Sequence, residues 1–369
     1  MTSARIALNL LWLRPGAVGG TESYATRLAA AVADLPAAER DVDLTLFALP
    51  AFAPAHPDLV RRWPTRVSPT GGRPKALRVA SESTWLAART AGFDLVHHLG
   101  GTIPALAPRP NVVTIHDLQY LDLPQFFSAG KRAYLGRVMP RSAHRARVVM
   151  TVSEFTRRSV IDHLGVSPAR TAVVPHAVLP PPQPTPEALP PGLPETFFLL
   201  PAIAYPHKNH AVVIDALPHL AGAHLICTGL PWTEDAALRA RADALGVGAR
   251  FHQLGRVSDA ALDALYRAAV GLVFPSRYEG FGAPVVEAMQ RDCAVIASDT
   301  TALPEVVGDA GILLPPDDSH AWADAMSGLL DDEALRGRLV AAGRQRAQAF
   351  RPEVAARALV AAYHLALQS

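Results

Sequence analysis

The residues best equipped for chemistry lie between Phe274 and Asp299. Two carboxylates, Glu279 and Glu287, stand on either side of Gly280, Phe281, Gly282, Ala283 and Pro284. Pro284 suits a first helical position, where its φ is preset and its missing N–H is not needed. The turn before it therefore delivers a helix N-terminus. Free N–H groups and the helix dipole favour an anion there, and the glycines flanking Phe281 let a phosphate approach the backbone. Glu279 precedes the turn and Glu287 lies about one helical turn inside, so both carboxylates can face one ligand from different sides. His116 follows an apolar run, Val112 to Ile115, and the C-terminal end of a parallel strand is where function gathers in open sheets.

These groups require a strand, a turn and a helix in succession. Val270–Phe274 and Ala294–Ser298 read as strands, with a helix from Pro284 to Gln290 between them. The same unit opens the chain: a strand from Arg5 to Leu11, a glycine loop at Gly16, Gly19 and Gly20, then a helix to about Leu35 with Thr21 as N-cap. It recurs at Phe197–Ala202 with Asn209–Leu220. Other strands are read at 42–48, 93–97, 112–116, 148–152 and 171–174, then at 224–228, 251–253 and 312–314. Near-continuous apolar strands separated by amphipathic helices indicate parallel sheets covered on both faces. Prolines crowd Leu179 to Glu195, forbidding helix and sheet interior alike. The expected layout is a first domain over 1–180, a linker over 181–195, a second domain over 196–351, and a final helix within 352–369 that crosses back.

The totals agree. A chain of 369 residues, half of them hydrophobic, suits two α/β domains, and a net charge of +2 does not mark a nucleic-acid binder. Cys227 and Cys293 each sit in a strand-like apolar run and read as buried free thiols, which fits a reducing compartment. The apolar run from Ile6 to Leu13 is too short to span a membrane, and no cleavage pattern follows it. A cytoplasmic protein is expected.

The run from Glu279 to Glu287 resembles the signature of the retaining GT-B glycosyltransferases of family 4. Further blocks resemble the family in its order: Gly19-Gly20-Thr21-Glu22, Thr114 to Asp117, Val152 to Phe155, Val174-Pro175-His176, Pro206 to Asn209 and Leu254 to Val257. The resemblance covers nearly the whole chain. It implies two Rossmann-like, doubly wound domains facing across a cleft, with a nucleotide-diphosphate sugar as co-substrate held mainly by the second. By the same resemblance Glu287 accepts the ribose hydroxyls, for which two acceptor oxygens are suited. Glu279 lies at the transferred sugar, as orienting group or nucleophile. Phe281, Gly282 and Ala283, beside Gly280, offer N–H groups to sugar and phosphate. Lys208 neutralises the departing diphosphate, His116 touches the sugar near the reacting carbon, and Gly19 and Gly20 bring backbone to the diphosphate. The family commonly carries an arginine about five residues before the lysine. Here that position is Ile203, so Arg256 or Arg277 is expected to supply the second cation.

The one Asp-x-Asp, Asp41-Val42-Asp43, stands at the start of the strand read at 42–48 and not in a loop after one, and there is no Cys/His cluster, so no metal is expected and phosphate charge falls to Lys208, an arginine and backbone N–H groups. The implied reaction is metal-independent hexosyl transfer with retention, GDP-mannose being the preferred donor and the acceptor a glycan, a lipid-linked sugar or a small metabolite, as in surface polysaccharide biosynthesis. The alternatives are a nucleotide-sugar-binding protein without catalysis, or a GT-B phosphorylase or epimerase. From Lys131 to Arg158, eight basic residues stand against one acid, Glu154. A solvated helix face is the preferred reading, because Pro140 breaks the segment and Tyr134, Leu135, Val138 and Met139 look committed to a core. Peripheral contact with an anionic membrane is the alternative.

Overall fold

A computed structural model describes residues 3–17, 19–107, 110–181 and 189–368. Much of the proline-rich connector, residues 182–188, lies outside the described residues. The chain forms two compact units, one of Met1–Leu179 with Phe350–Ser369, the other of Pro180–Ala349.

The first unit holds a seven-stranded sheet. Its strands are β1 (Ala4–Leu10), β2 (Val42–Ala48), β3 (Thr65–Val67), β4 (Leu95–His98), β5 (Asn111–Ile115), β6 (Val148–Thr151) and β7 (Thr171–Val173), in the spatial order β3-β2-β1-β4-β5-β6-β7. The pairing is parallel throughout. Strands β4, β5 and β6 are buried along their whole length, the polar His97, His98, Asn111 and Thr114 included, as expected of strands covered on both faces. Helices cover both faces. One face packs Ala7, Phe47, Val96, Val113 and Ile115 under Leu86, Met139 and Val160, and the other carries His97 and Thr114. The last helix, Pro352–Gln368, belongs to this unit, where Tyr363 is fully buried and its hydroxyl hydrogen-bonds to His97 Nδ1 at 2.8 Å.

The second unit repeats the plan with six parallel strands: β8 (Phe197–Pro201), β9 (His224–Thr228), β10 (Phe251–Gln253), β11 (Gly271–Phe274), β12 (Ala294–Ser298) and β13 (Ile312–Leu314), ordered β10-β9-β8-β11-β12-β13. In each unit the winding reverses direction once, between β1 and β4 in the first and between β8 and β11 in the second. Such a switch point is where open α/β sheets bind ligands, outside the carboxyl ends of the strands. β8 and β11 pair only over Phe198–Leu199 and Gly271–Leu272. Their C-terminal ends are therefore free to part around a ligand.

Three local expectations are corrected. The first helix starts at Gly20 with Gly19 as N-cap at φ 58, not at Thr21, and no side chain caps it; a left-handed residue there is a glycine's task. The basic segment is one helix, Ala129–Arg145, running through Pro140. Ser142 supports this stretch by donating its hydroxyl to Val138 O at 2.8 Å. Tyr134, read as core, is 42% exposed, while Met139 is buried. No helix among the described residues is long and apolar enough to cross a membrane.

Candidate active site

At the switch point of the second unit two loops meet. β8 leads through Ala202–Tyr205 into a single 3-10 turn, Pro206–Lys208, and β11 leads through Pro275–Gly282 into the helix Ala283–Met289. Lys208 Nζ donates to Glu279 Oε1 at 2.5 Å, with the two side chains 18% and 13% exposed. The ammonium also lies 5.2 Å from the centroid of the Phe274 ring, which adds a cation–π attraction. Two residues far apart in sequence thus form one site at the ends of adjacent strands.

Each partner is fixed from behind. Asn209 takes the left-handed conformation at φ 54, and its side-chain amide donates to Pro316 O at 2.6 Å and Asp317 Oδ1 at 3.3 Å. Arg277 grips the same Asp317 Oδ1 through Nε at 2.9 Å and Nη2 at 2.6 Å. It also donates to Pro206 O at 3.2 Å through Nη1, and its backbone N–H reaches His207 O at 2.7 Å. The guanidinium is thereby engaged in tying the Lys208 turn to the 315–318 loop. Arg256 is different: exposed, with no hydrogen bond or ion pair among the described residues. Its neighbour Gly255 accepts from Gly229 N at 3.0 Å, and a Cβ on Gly229 would lie 2.8 Å from Ile203 N. Arg256 therefore stands on a loop that converges with the Ile203 segment.

Glu279 receives a further restraint, its N–H donating to Thr301 Oγ1 at 3.0 Å. Gly282 caps the following helix at φ 100, a conformation that a residue with a Cβ adopts only under strain. Phe281 and Gly282 are buried, Gly280 and Ala283 half-buried. The helix has seven residues, and the nearby Lys208 charge is paired with the Glu279 carboxylate. Glu287 accepts from the buried Tyr266 hydroxyl at 3.3 Å, and Arg291 donates to Glu287 O at 3.0 Å while bonded to Asp263 at 2.7 Å. Burial, followed by the adjacent Lys208 ammonium, pushes His207 down to about 4, so this turn residue is neutral at pH 7.

In the first unit Gly19 and Gly20 follow β1 and are exposed. Glu22 organises their loop: its carboxylate accepts from Gly16 N at 2.8 Å and contacts His56 Nε2 at 2.9 Å. His116, one residue past β5, donates from Nε2 to Leu99 O at 2.9 Å and meets Tyr24 edge to face at 4.9 Å between ring centres. Burial holds it down to about 4, so the ring is neutral near pH 7 and Nδ1 is its acceptor. His116 and Asp117 line a cavity of about 290 Å³.

Sequence reasoning did not single out Asp317, Asn209, Thr301 or Tyr266. Asn209 closes the block Pro206 to Asn209 but carried no role there, and its left-handed backbone leaves no mark in residue type beyond being Asn. Asp317, Thr301 and Tyr266 join the site only through tertiary contacts. Among the described residues no group of three or more His, Cys, Asp or Glu is gathered so as to hold a metal ion.

The profile for glycosyl transferases group 1 matches residues 186–346, and that for Glycosyltransferase Family 4 matches residues 18–179. O-antigen chain mannosyltransferase B of Escherichia coli is 30% identical over 266 residues, covering 69% of this chain and 70% of that protein. The phosphatidyl-myo-inositol mannosyltransferase of Mycobacterium leprae is 35% identical over 180 residues, 47% of each chain. Among solved structures, sucrose-phosphate synthase from Thermosynechococcus elongatus aligns with TM-score 0.77 and 22% identity over 98% of both chains. Anabaena HepE, solved with UDP and glucose, aligns with TM-score 0.75 and 20% identity over 98% of this chain and 99% of that one. These two likenesses concern the fold.

Proposed function

Because the chain belongs to the group 1 glycosyltransferases of family 4 and shares their GT-B fold, we propose that it transfers a mannosyl group from GDP-mannose to a hydroxyl of a glycan or lipid-linked acceptor, with retention and without a metal ion. The observation that carries the reading is the Lys208–Glu279 contact at the switch point of the second unit. It brings a cation and a carboxylate together, which supports a reading in which one meets the leaving diphosphate and the other the sugar.

In the proposed reaction the bond from the anomeric carbon to the diphosphate oxygen breaks as the acceptor oxygen attacks from the same face. The acceptor proton passes to the departing phosphate. Lys208 stabilises the charge that develops on that phosphate, so its effect falls on the transition state more than on binding. Glu287 holds the ribose, and Glu279 orients the mannose while keeping Lys208 in place. Of the two arginines, Arg256 is the proposed second phosphate cation, because Arg277 is already engaged by Asp317 and Pro206 O. Neutral His116 accepts a hydrogen bond from a sugar hydroxyl through Nδ1. The preference for mannose rests on relatives named as mannosyltransferases. HepE was solved with UDP and glucose, which keeps a uridine donor as the second reading.

A thermal-shift panel of GDP, UDP, dTDP and their sugars tests the donor, since a ligand bound only by the folded state raises its melting temperature. GDP and GDP-mannose are expected to give the largest shifts. A larger shift with UDP-glucose overturns the choice of base.

A further inference from the structure

Behind Glu287 stands a closed circuit of polar contacts that packing alone does not require. The helix Asp259–Ala268 carries Asp263, Tyr266 and Arg267 on one face. Asp263 is 5% exposed, and each of its oxygens is taken by a different arginine: Oδ2 by Arg267 Nε at 2.7 Å and Oδ1 by Arg291 Nε at 2.7 Å. Arg291 donates onward through Nη1 to Glu287 O at 3.0 Å, and its guanidinium carbon lies 5.4 Å from the centre of the Tyr266 ring. The circuit closes at the other end of the same glutamate, where Oε2 accepts from the Tyr266 hydroxyl at 3.3 Å. Backbone and side chain of Glu287 are thus both held from one neighbouring helix, through Asp263 and through Tyr266.

A buried charge such as Asp263 persists only when it is paired, and here the pairing ends on the Glu287 backbone. Tyr266 acts on the carboxylate itself. Burial, and after it the Glu287 charge, hold the phenol well above its usual range, so it stays protonated and donates. The last torsion of a glutamate is broad and nearly two-fold, so the oxygens of an unrestrained carboxylate exchange places. A donor on one of them breaks that equivalence. At 3.3 Å the bond is longer than the usual O–H···O contact, so it orients Oε2 without exhausting its acceptor capacity. Oε1 and Oε2 become different acceptors in fixed places.

We propose that Tyr266 is a positioning residue that makes the Glu287 carboxylate read the two hydroxyls of a ribose unequally, and so sets the preference of the donor site for ribonucleotides over deoxyribonucleotides. The inference rests on the assignment of Glu287 to the ribose. A vicinal diol presents two donors side by side. A carboxylate held in one plane meets both at once, whereas one that turns has to be ordered on binding. The hydroxyl facing Oε1 has the stronger acceptor, and the one facing Oε2 shares its acceptor with the phenol.

The test is calorimetric titration of the full chain with GDP, 2′-deoxy-GDP and 3′-deoxy-GDP, and in parallel with UDP and its two deoxy forms, the series of the tighter base being decisive. The variants are Tyr266→Phe, which keeps the ring beneath Arg291, and Glu287→Ala. The wild type is expected to bind the ribonucleotide about tenfold or more tightly than either deoxy form, and the two deoxy forms to differ by about fivefold. In Tyr266→Phe the ribonucleotide should bind about three- to tenfold more weakly, with the two deoxy forms brought to within about twofold of each other. Equal penalties for the two deoxy forms in the wild type overturn the inference without any variant. So does a Tyr266→Phe protein with unchanged affinities, or one that loses the same factor for all three nucleotides, which is the mark of a structural role alone. Glu287→Ala separates the two levels of the reading. If it abolishes the preference for ribose while Tyr266→Phe keeps the wild-type pattern, the ribose assignment stands and the role of Tyr266 falls; if it keeps the preference, the ribose assignment falls and the inference with it.

Discussion

Lys208 and Glu279 are each half of a partly buried ion pair, so removing one strands the other. For Lys208→Ala the account predicts a fall in kcat of about a hundred- to a thousandfold, with donor binding reduced far less, measured by steady-state kinetics and by titration with GDP. Retained wild-type turnover contradicts the role of Lys208. Arg277 separates positioning from binding. As a clamp on Asp317, Pro206 O and, through its backbone, His207 O, its replacement by Ala should lower kcat roughly ten- to a hundredfold through displacement of the Lys208 turn, with donor KM little changed. Arg277→Lys should recover part of the loss. A donor KM that rises with the fall in kcat identifies Arg277 as a phosphate ligand. At this scale the sequence was legible where residue type and spacing coincide with a turn, as at Glu279 to Glu287. It was silent about Asp317 and Thr301, which join the site through contacts that no local pattern encodes.

The elements carry two further predictions. The loops after β8, β9 and β10 converge on Gly229, whose Cβ, if it had one, would lie 2.8 Å from Ile203 N and 3.0 Å from both Ala202 C and Ala202 O. These are backbone atoms and cannot yield by a rotamer change. Gly229→Ala should cost about 1–3 kcal/mol and lower both the melting temperature and donor affinity; an unchanged melting temperature contradicts the packing described. The second concerns acid. Burial holds His97 at about 3, and His98 and His116 at about 4, against an ordinary value of 6.5. All three are neutral in the folded unit and take up protons on unfolding below pH 6.5, so the unfolded state binds more protons and stability falls as pH drops. The contribution is whole above about 6.5 and is lost down to about 4. Urea midpoints should therefore decrease from pH 7 to pH 5, and less steeply in His98→Gln; equal slopes for both proteins contradict the burial of His98. Most strands were readable because both faces of each sheet are covered. β3 was not, since Thr65–Val67 is three residues with no apolar run, and the helix through Pro140 was hidden because a proline alone argues for a break.

The two units share one plan, a parallel sheet wound outward from a central switch point; Lys208 and Glu279 lie in loops at that point in the second unit, and in the first Gly19 and Gly20 follow β1 while His116 follows β5. That plan was legible from the recurrence of strand, glycine loop and helix in the sequence. The donor was not, because nucleotide base and sugar are selected by loops whose side chains carry no general code. The central claim is retaining transfer of mannose from GDP-mannose by a site built on Lys208, Glu279 and Glu287. Its most direct test is the NMR spectrum of the product formed from GDP-[1-¹³C]mannose, an α-linked donor, and a pyranoside acceptor. The account predicts an α-linked labelled product from the wild type. A β-linked product, or consumption of a UDP sugar while GDP-mannose remains untouched, contradicts it.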